Sequence, residues 1–190
     1  MAKRKTSFSE KEYQTLRELV EGPEAEITLD LNEFEAELSS VAQSALVSEL
    51  KNSCNIIPDT PGVYFVLRQA DGKMPDFLVK GTGGLHNGED LNYDVDRLRD
   101  KWVSDTQIMY IGKTDSSLRK RIRTYMKYGS GNDAAHRGGR AIWQLPESDS
   151  LIVAWRELPQ EQTARNVEKK LIKKFRNEHS GKLPFANWIE

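Results

Sequence analysis

One cysteine, Cys54, stands among 190 residues, which excludes an internal disulfide and any multi-cysteine zinc site. Histidine is almost as scarce: His86, His136 and His179 lie far apart and lack the spacing of a metal-ligand set. No apolar run approaches the ~20 residues of a bilayer span, so no membrane partner is expected. The basic start, Met1 to Phe8, leads into no apolar segment of the signal-peptide kind. Internal repeats and low-complexity tracts are lacking too. Together these absences predict a reducing, cytoplasmic location. What remains is 37% apolar and 30% charged, a globular composition with room for one cored domain and a small appendage.

The net charge of −1 speaks against a polyanionic partner, but the charge is unevenly placed. Residues 1–50 balance at −6, residues 51–112 at −2 and residues 113–190 at +7. Such polarity is the electrostatic footprint of a polyanion-binding surface, or of ordinary solvated helix faces.

Phe8, Tyr13, Leu16, Leu19 and Val20 mark an amphipathic helix over residues 7–21, closed by Gly22-Pro23. Leu31, Phe34, Leu38, Val41, Ala45 and Leu46 predict a second helix from about Asp30 to Leu50. Residues 1–55 thus read as an acidic helical region, with 7–50 as its candidate surface for a homodimer or protein partner. Gly62 to Leu67 and Ile108 to Gly112 read as strands, rich in β-branched and aromatic residues. Between them, residues 69–107 look like an insertion, with strand character at Phe77-Leu78-Val79 and a short helix at Val95 to Trp102. A helix then runs from Ser116 or Ser117 to about Tyr128. Ala141 to Leu145 and Leu151 to Leu158 read as a hairpin, and Gln160 to His179 as a long helix. The fold class is α/β (α+β): a small three-stranded, mainly antiparallel sheet flanked by helices, with a helical N-terminal appendage.

On a wheel at ~100° per residue, Ala164, Val167, Leu171, Ile172 and Phe175 share one arc of the last helix. Glu168 falls inside that arc, and none of Lys169, Lys170, Lys173 or Lys174 lies at the three- or four-residue step that pairs side chains. A carboxylate on a core-facing stripe must be ion-paired, protonated or bound to a cation. In the earlier helix, Leu118, Ile122, Tyr125 and Met126 form a stripe flanked by Arg119 and Arg121, and periodicity does not choose between them. Lys120, Arg123 and Lys127 point outward, and arginine suits phosphate because its planar fork donates in pairs and keeps its charge. Tyr64 and Tyr110 would act as bases near neutrality only beside a cation, Lys113 or a metal, that lowers a phenol pKa near 10. His136 is either a proton acceptor or a loop residue, and Gly138-Gly139 could bring backbone amides to a phosphate.

These residues, in this order, resemble the GIY-YIG nuclease superfamily over about residues 58–190. Gly62-Val63-Tyr64 looks like its first signature and Tyr110-Ile111-Gly112 its second. Leu118-Arg119-Lys120-Arg121 is similar to its leucine-x-x-arginine helix, which selects Arg121. Glu168 matches its metal-ligand glutamate and Asn187, in Pro184-Phe-Ala-Asn187, its terminal asparagine. Thr82-Gly-Gly84, Gly139 to Leu145 and Pro184 to Asn187 also look like segments of small stand-alone bacterial members. Two departures stand out: Tyr64 and Tyr110 are 46 residues apart, long for the family, and the gap from Glu168 to Asn187 is stretched.

The resemblance implies a nuclease-like domain over residues 56–190 with the insertion at about 69–107, and Mg²⁺- or Mn²⁺-dependent endonucleolytic hydrolysis of DNA in repair, defence or structure-specific cleavage. Its catalytic set would be Tyr64, Tyr110, Arg121, Glu168 and His136, with Glu168 the metal ligand and either tyrosine the base. Lys113, Arg119, Arg123, Arg140 and Asn187 would contact nucleic acid. The alternative is a non-catalytic nucleic-acid-binding module on the same fold.

Overall fold

The computed structural model describes residues 43–68, 73–104 and 106–188. The expected helix over 7–21 and most of the acidic N-terminal region lie outside these residues.

One antiparallel sheet organises the fold. Its strands are β1 (Gln43–Leu46), β2 (Gly62–Leu67), β5 (Ile108–Thr114) and β6 (Ile152–Glu157), in the spatial order β1-β6-β2-β5. A separate two-stranded ribbon, β3 (Leu85–His86) with β4 (Glu89–Asp90), lies in the insertion. The helices are α1 (Val47–Asn52), α2 (Val95–Lys101), α3 (Leu118–Gly129) and α4 (Ala164–Glu178).

The main sheet has four strands, not the three expected, and the difference lies in two segments. Gln43–Leu46, predicted as helix, pairs with β6 from Gln43 opposite Trp155 to Leu46 opposite Ile152. Helix begins only at Val47, whose amide bonds the Leu151 carbonyl (2.8 Å). Ala45 and Leu46 satisfy a helical or a strand period equally, and the free edge of β6 decides between them. Conversely, Arg140–Gln144 is a 3₁₀ turn rather than a hairpin strand, with Ala141, Ile142, Trp143 and Gln144 all buried. A continuous buried run carries no period, so strand and helix cannot be told apart there. Residues 77–79 are likewise not a strand; their backbone docks on Gln144, which accepts from Leu78 N–H (2.9 Å) and returns a side-chain bond to Leu78 O (3.0 Å).

The sheet is covered on both faces. Tyr64 and Val66 join the main core with α1, α3, Trp143 and Trp155, while Val63 and Phe65 pack with Ala164, Val167 and Leu171 of α4. The insertion is part of this body, because Phe77 stacks on Phe185 (5.5 Å) and Trp102 meets it edge-on (5.4 Å). Burying such rings contributes on the order of 2–3 kcal/mol each.

Candidate active site

The two tripeptides, 46 residues apart in the chain, become neighbouring strands. Tyr64 stands opposite Gly112, and Tyr110 opposite Val66. The Tyr64 ring lies directly across Gly112: a Cβ there would sit 2.5 Å from its Cζ and 2.7 Å from its hydroxyl. Only glycine leaves room for that ring. The two phenol rings then meet at 5.8 Å with a 62° interplanar angle.

Helix α3 supplies the third group. Ser117 caps it by accepting from Lys120 N–H (3.0 Å), and Leu118, Ile122, Tyr125 and Met126 anchor its apolar face in the core. Arg121 emerges beside that face, half-buried, against both phenols. Arg119, on the opposite flank, gives its Nε–H to Ile57 O (2.6 Å) instead. Packing therefore resolves the choice that periodicity left open.

The three groups perturb one another's ionisation without being aligned. Among the described residues, Tyr64 Oη and Arg121 Nε are buried without a well-aligned hydrogen bond, although the Tyr64, Tyr110 and Arg121 side chains lie within hydrogen-bonding reach of one another. Burial raises the Tyr64 pKa and, together with Tyr64, raises that of Tyr110 well above 10; Arg121 opposes both shifts. Burial disfavours the Arg121 charge, but the two phenols more than offset it, and its pKa is raised. The site at neutral pH thus holds two protonated phenols and one cation. Gly138 closes over it: a Cβ at 138 would lie 2.4 Å from Tyr110 Oη and 3.7 Å from Arg121 Nη2.

Glu168 comes from α4, which packs over β5 and β2 from the sheet's other face. Ala164, Val167 and Phe175 are buried around it, Leu171, Ile172 and Glu168 itself are half-buried, and Lys169, Lys170 and Lys173 are exposed. Among the described residues, Glu168 forms neither an ion pair nor a hydrogen bond, so the buried salt bridge that would have explained it is not made. Burial raises its pKa; Lys113 and Arg121 pull it down, and Asp115 pushes it up. Both tyrosines feel its charge in turn. Lys113 pairs with Asp115, whose carboxylate also meets the amides of Ala164 and Arg165 at the start of α4. No group of three or more His, Cys, Asp or Glu side chains gathers among the described residues. A lone carboxylate, partly desolvated and within range of Lys113 and Arg121 but ion-paired to neither, fits a hard divalent cation that keeps several waters.

The remaining residues are distributed differently. His136 is fully buried, its ring tilted against Tyr125 (4.6 Å), and among the described residues its nitrogens make no well-aligned hydrogen bond, with the Gly138 backbone beside the ring. Burial and the nearby Arg121 lower its pKa to about 3, so it is neutral. Tyr125 donates to Gly139 O (2.9 Å), fixing the same loop. Asn187 clamps the edge of β5, its Oδ1 accepting from Ile111 N–H (2.8 Å) and its Nδ2 donating to Ile111 O (2.7 Å). Arg123 reaches Asn55 (3.4 Å) away from the phenols, and Arg140 lies over the Tyr93 ring (4.4 Å). Two roles were not legible beforehand: Asn187 as a substitute strand for β5, and Gly138 as the cover of Tyr110. The glycine pair was the only signal for the second, and nothing in the sequence signalled the first.

Paired phenols on two strands, an arginine on a capped helix and an unpaired glutamate on the opposite face are thus brought within electrostatic range of one another. The GIY-YIG catalytic domain model, a nuclease fold, matches residues 98–182, which supports membership of the GIY-YIG nuclease superfamily. The match begins after Tyr64, because the insertion parts the two tripeptides that strand pairing reunites. No curated protein and no solved structure matches the chain.

Proposed function

We propose that this protein is a divalent-metal-dependent DNA endonuclease that hydrolyses phosphodiester bonds at the Tyr64–Tyr110–Arg121–Glu168 site. The observation that carries the reading is the unpaired, half-buried Glu168 within electrostatic range of both phenols and Arg121. Glu168 would hold Mg²⁺ or Mn²⁺, which when bound supplies Lewis acidity at a phosphoryl oxygen. Arg121 offers its fork to the non-bridging phosphate oxygens, where negative charge grows during attack. Tyr110 and Tyr64 enter protonated and donate to the phosphate or to the incoming water. Whichever phenol accepts the water's proton, Tyr64 or Tyr110, must first give up its own, and Arg121 is the group that favours that loss at both. His136, neutral and wedged against Tyr125, positions the Gly138–Gly139 loop rather than exchanging protons.

Lys113 and Arg140 are the nearest of the proposed nucleic-acid contacts, and Arg119, Arg123 and Asn187 serve from further away or by shaping β5. A reducing cytoplasm is the compartment we assign. The choice of partner through residues 7–50 rests on their acidic composition alone.

The test is nicking of supercoiled DNA with Mg²⁺ or Mn²⁺ present. Glu168→Ala should remove activity by a factor of ~10³ or more while melting no lower than the parent, because the carboxylate's raised pKa means its charge opposes folding. Equal cleavage by the variant would refute the mechanism. The sealing of the Tyr64 hydroxyl favours a second reading, a non-catalytic nucleic-acid-binding module. DNA binding by the parent protein without product under any metal would establish that reading instead.

A further inference from the structure

The insertion carries a cationic edge that the cleavage chemistry does not use. Tyr93 and Trp188 stack at 3.6 Å, joining the insertion to the C-terminal segment. Arg97 of α2 lies over both rings, 4.9 Å from Trp188 and 5.5 Å from Tyr93, and Lys101, one turn later, lies 5.9 Å over Trp188. Leu98, fully buried, pins α2 in place beneath them. Both cations are exposed, and among the described residues neither forms an ion pair or a hydrogen bond. The helix is not short of acids: Asp94, Asp96 and Asp100 are all close in sequence. Among the described residues only Asp96 is paired, and its partner is Arg99 (2.8 Å) on a different face.

A guanidinium laid over an aromatic face is oriented by the ring while its in-plane N–H groups stay free for another acceptor. Phosphate is the acceptor that matches such an edge. The direction is also set. Arg140 covers the Tyr93 ring and directly follows Gly138-Gly139, which lie on Tyr110. A chain of phosphates leaving the Tyr110–Arg121 site across this loop therefore reaches Arg97 and Lys101.

We infer that Arg97 and Lys101, steadied by the Tyr93–Trp188 stack, form an accessory clamp for the phosphate backbone of DNA beside the scissile bond. The inference takes the polymer from the nuclease reading, but its test needs no cleavage. Binding of a labelled DNA duplex is measured in EDTA across a salt series for the parent protein, for Arg97→Ala/Lys101→Ala and for Arg99→Ala. The double variant should bind roughly tenfold more weakly, with the slope of log affinity against log salt reduced by about 2, one unit per lost phosphate contact. Arg99→Ala, which breaks only the pair with Asp96, should bind within about twofold of the parent. Equal affinity and slope in parent and double variant would overturn the clamp, as would an equal loss in Arg99→Ala or no DNA binding by the parent. If the parent binds DNA and loses that binding in the double variant but nicks nothing with any metal, the clamp stands and the nuclease reading falls.

Discussion

The two faces of the β2–β5 ribbon hold their polar groups under opposite conditions. On one face, Tyr64, Tyr110, Tyr125 and His136 are all buried and all neutral, and Arg121 is the one cation among them. On the other, Glu168 and Lys113 are half-buried and Asp115 is exposed, and the acid whose charge reaches both phenols is the one without an ion pair among the described residues. The sealed face stores protons, since desolvation holds each phenol in its neutral form. The open face stores an unbalanced negative charge. The hydrolysis proposed here would need both, and the edge strand β5 lets the two fields overlap without either face giving up its packing.

Variants that disturb one face at a time probe that division. After Glu168→Ala, the largest effect is expected for Arg121→Ala, which leaves the sealed face without its cation: nicking should fall by about 10²–10³. Arg119→Ala, losing only its bond to Ile57 O, should stay within a few-fold in the same assay and cost about 1 kcal/mol of stability. A comparable loss from both would mean that the helix as a whole, not one guanidinium, serves the site. Tyr64→Phe should lower nicking by about 10²-fold yet leave urea stability within about 1 kcal/mol of the parent, because the buried hydroxyl removed makes no well-aligned hydrogen bond. A larger loss of stability would show that the hydroxyl is bonded after all.

His136 tests the sealed face through pH. Its folded pKa, about 3, lies below the ordinary 6.5, so the folded state binds fewer protons than the unfolded state between those values. Its contribution is fully present above pH 6.5 and is lost on acidification at up to about 1.4 kcal/mol per pH unit. His136→Phe should flatten that part of the stability curve in urea titrations across acid pH. An unaltered slope would place the histidine in water.

Asn187→Ala is expected to act on the stability of β5 rather than on the charges of the site. Two bonds to Ile111 vanish, at about 0.5–1.5 kcal/mol each, and the edge of β5 loosens. Thermal melts should show the lower stability, and hydrogen exchange should quicken at Ile111. Unchanged protection there would mean that β5 holds its own shape.

Much of the site was legible because it depends on local pattern. The wheel position of Glu168 needed only helical spacing, and the structure finds that residue half-buried on the predicted arc. The α3 stripe and its serine cap were readable for the same reason. Failures came where a residue's state depends on a distant partner. Gln43–Leu46 took strand form because β6 offered an edge, and Arg140–Gln144 curled because burial on every side erased its period. Asn187 was read as a nucleic-acid contact, and no local signal could tell that its amide would replace a missing strand beside Ile111.

By itself, the order of residues determined which chemistry this chain carries: two phenols, a forked cation and one acid on an apolar stripe, each tied to its own helix or strand by short-range periodicity. Tertiary structure alone decided whether those groups meet, which arginine joins them and whether the acid finds a counter-charge. The physical reason is that periodicity is a property of neighbours a few residues apart, whereas desolvation and ion pairing depend on groups that only folding brings together across the sheet.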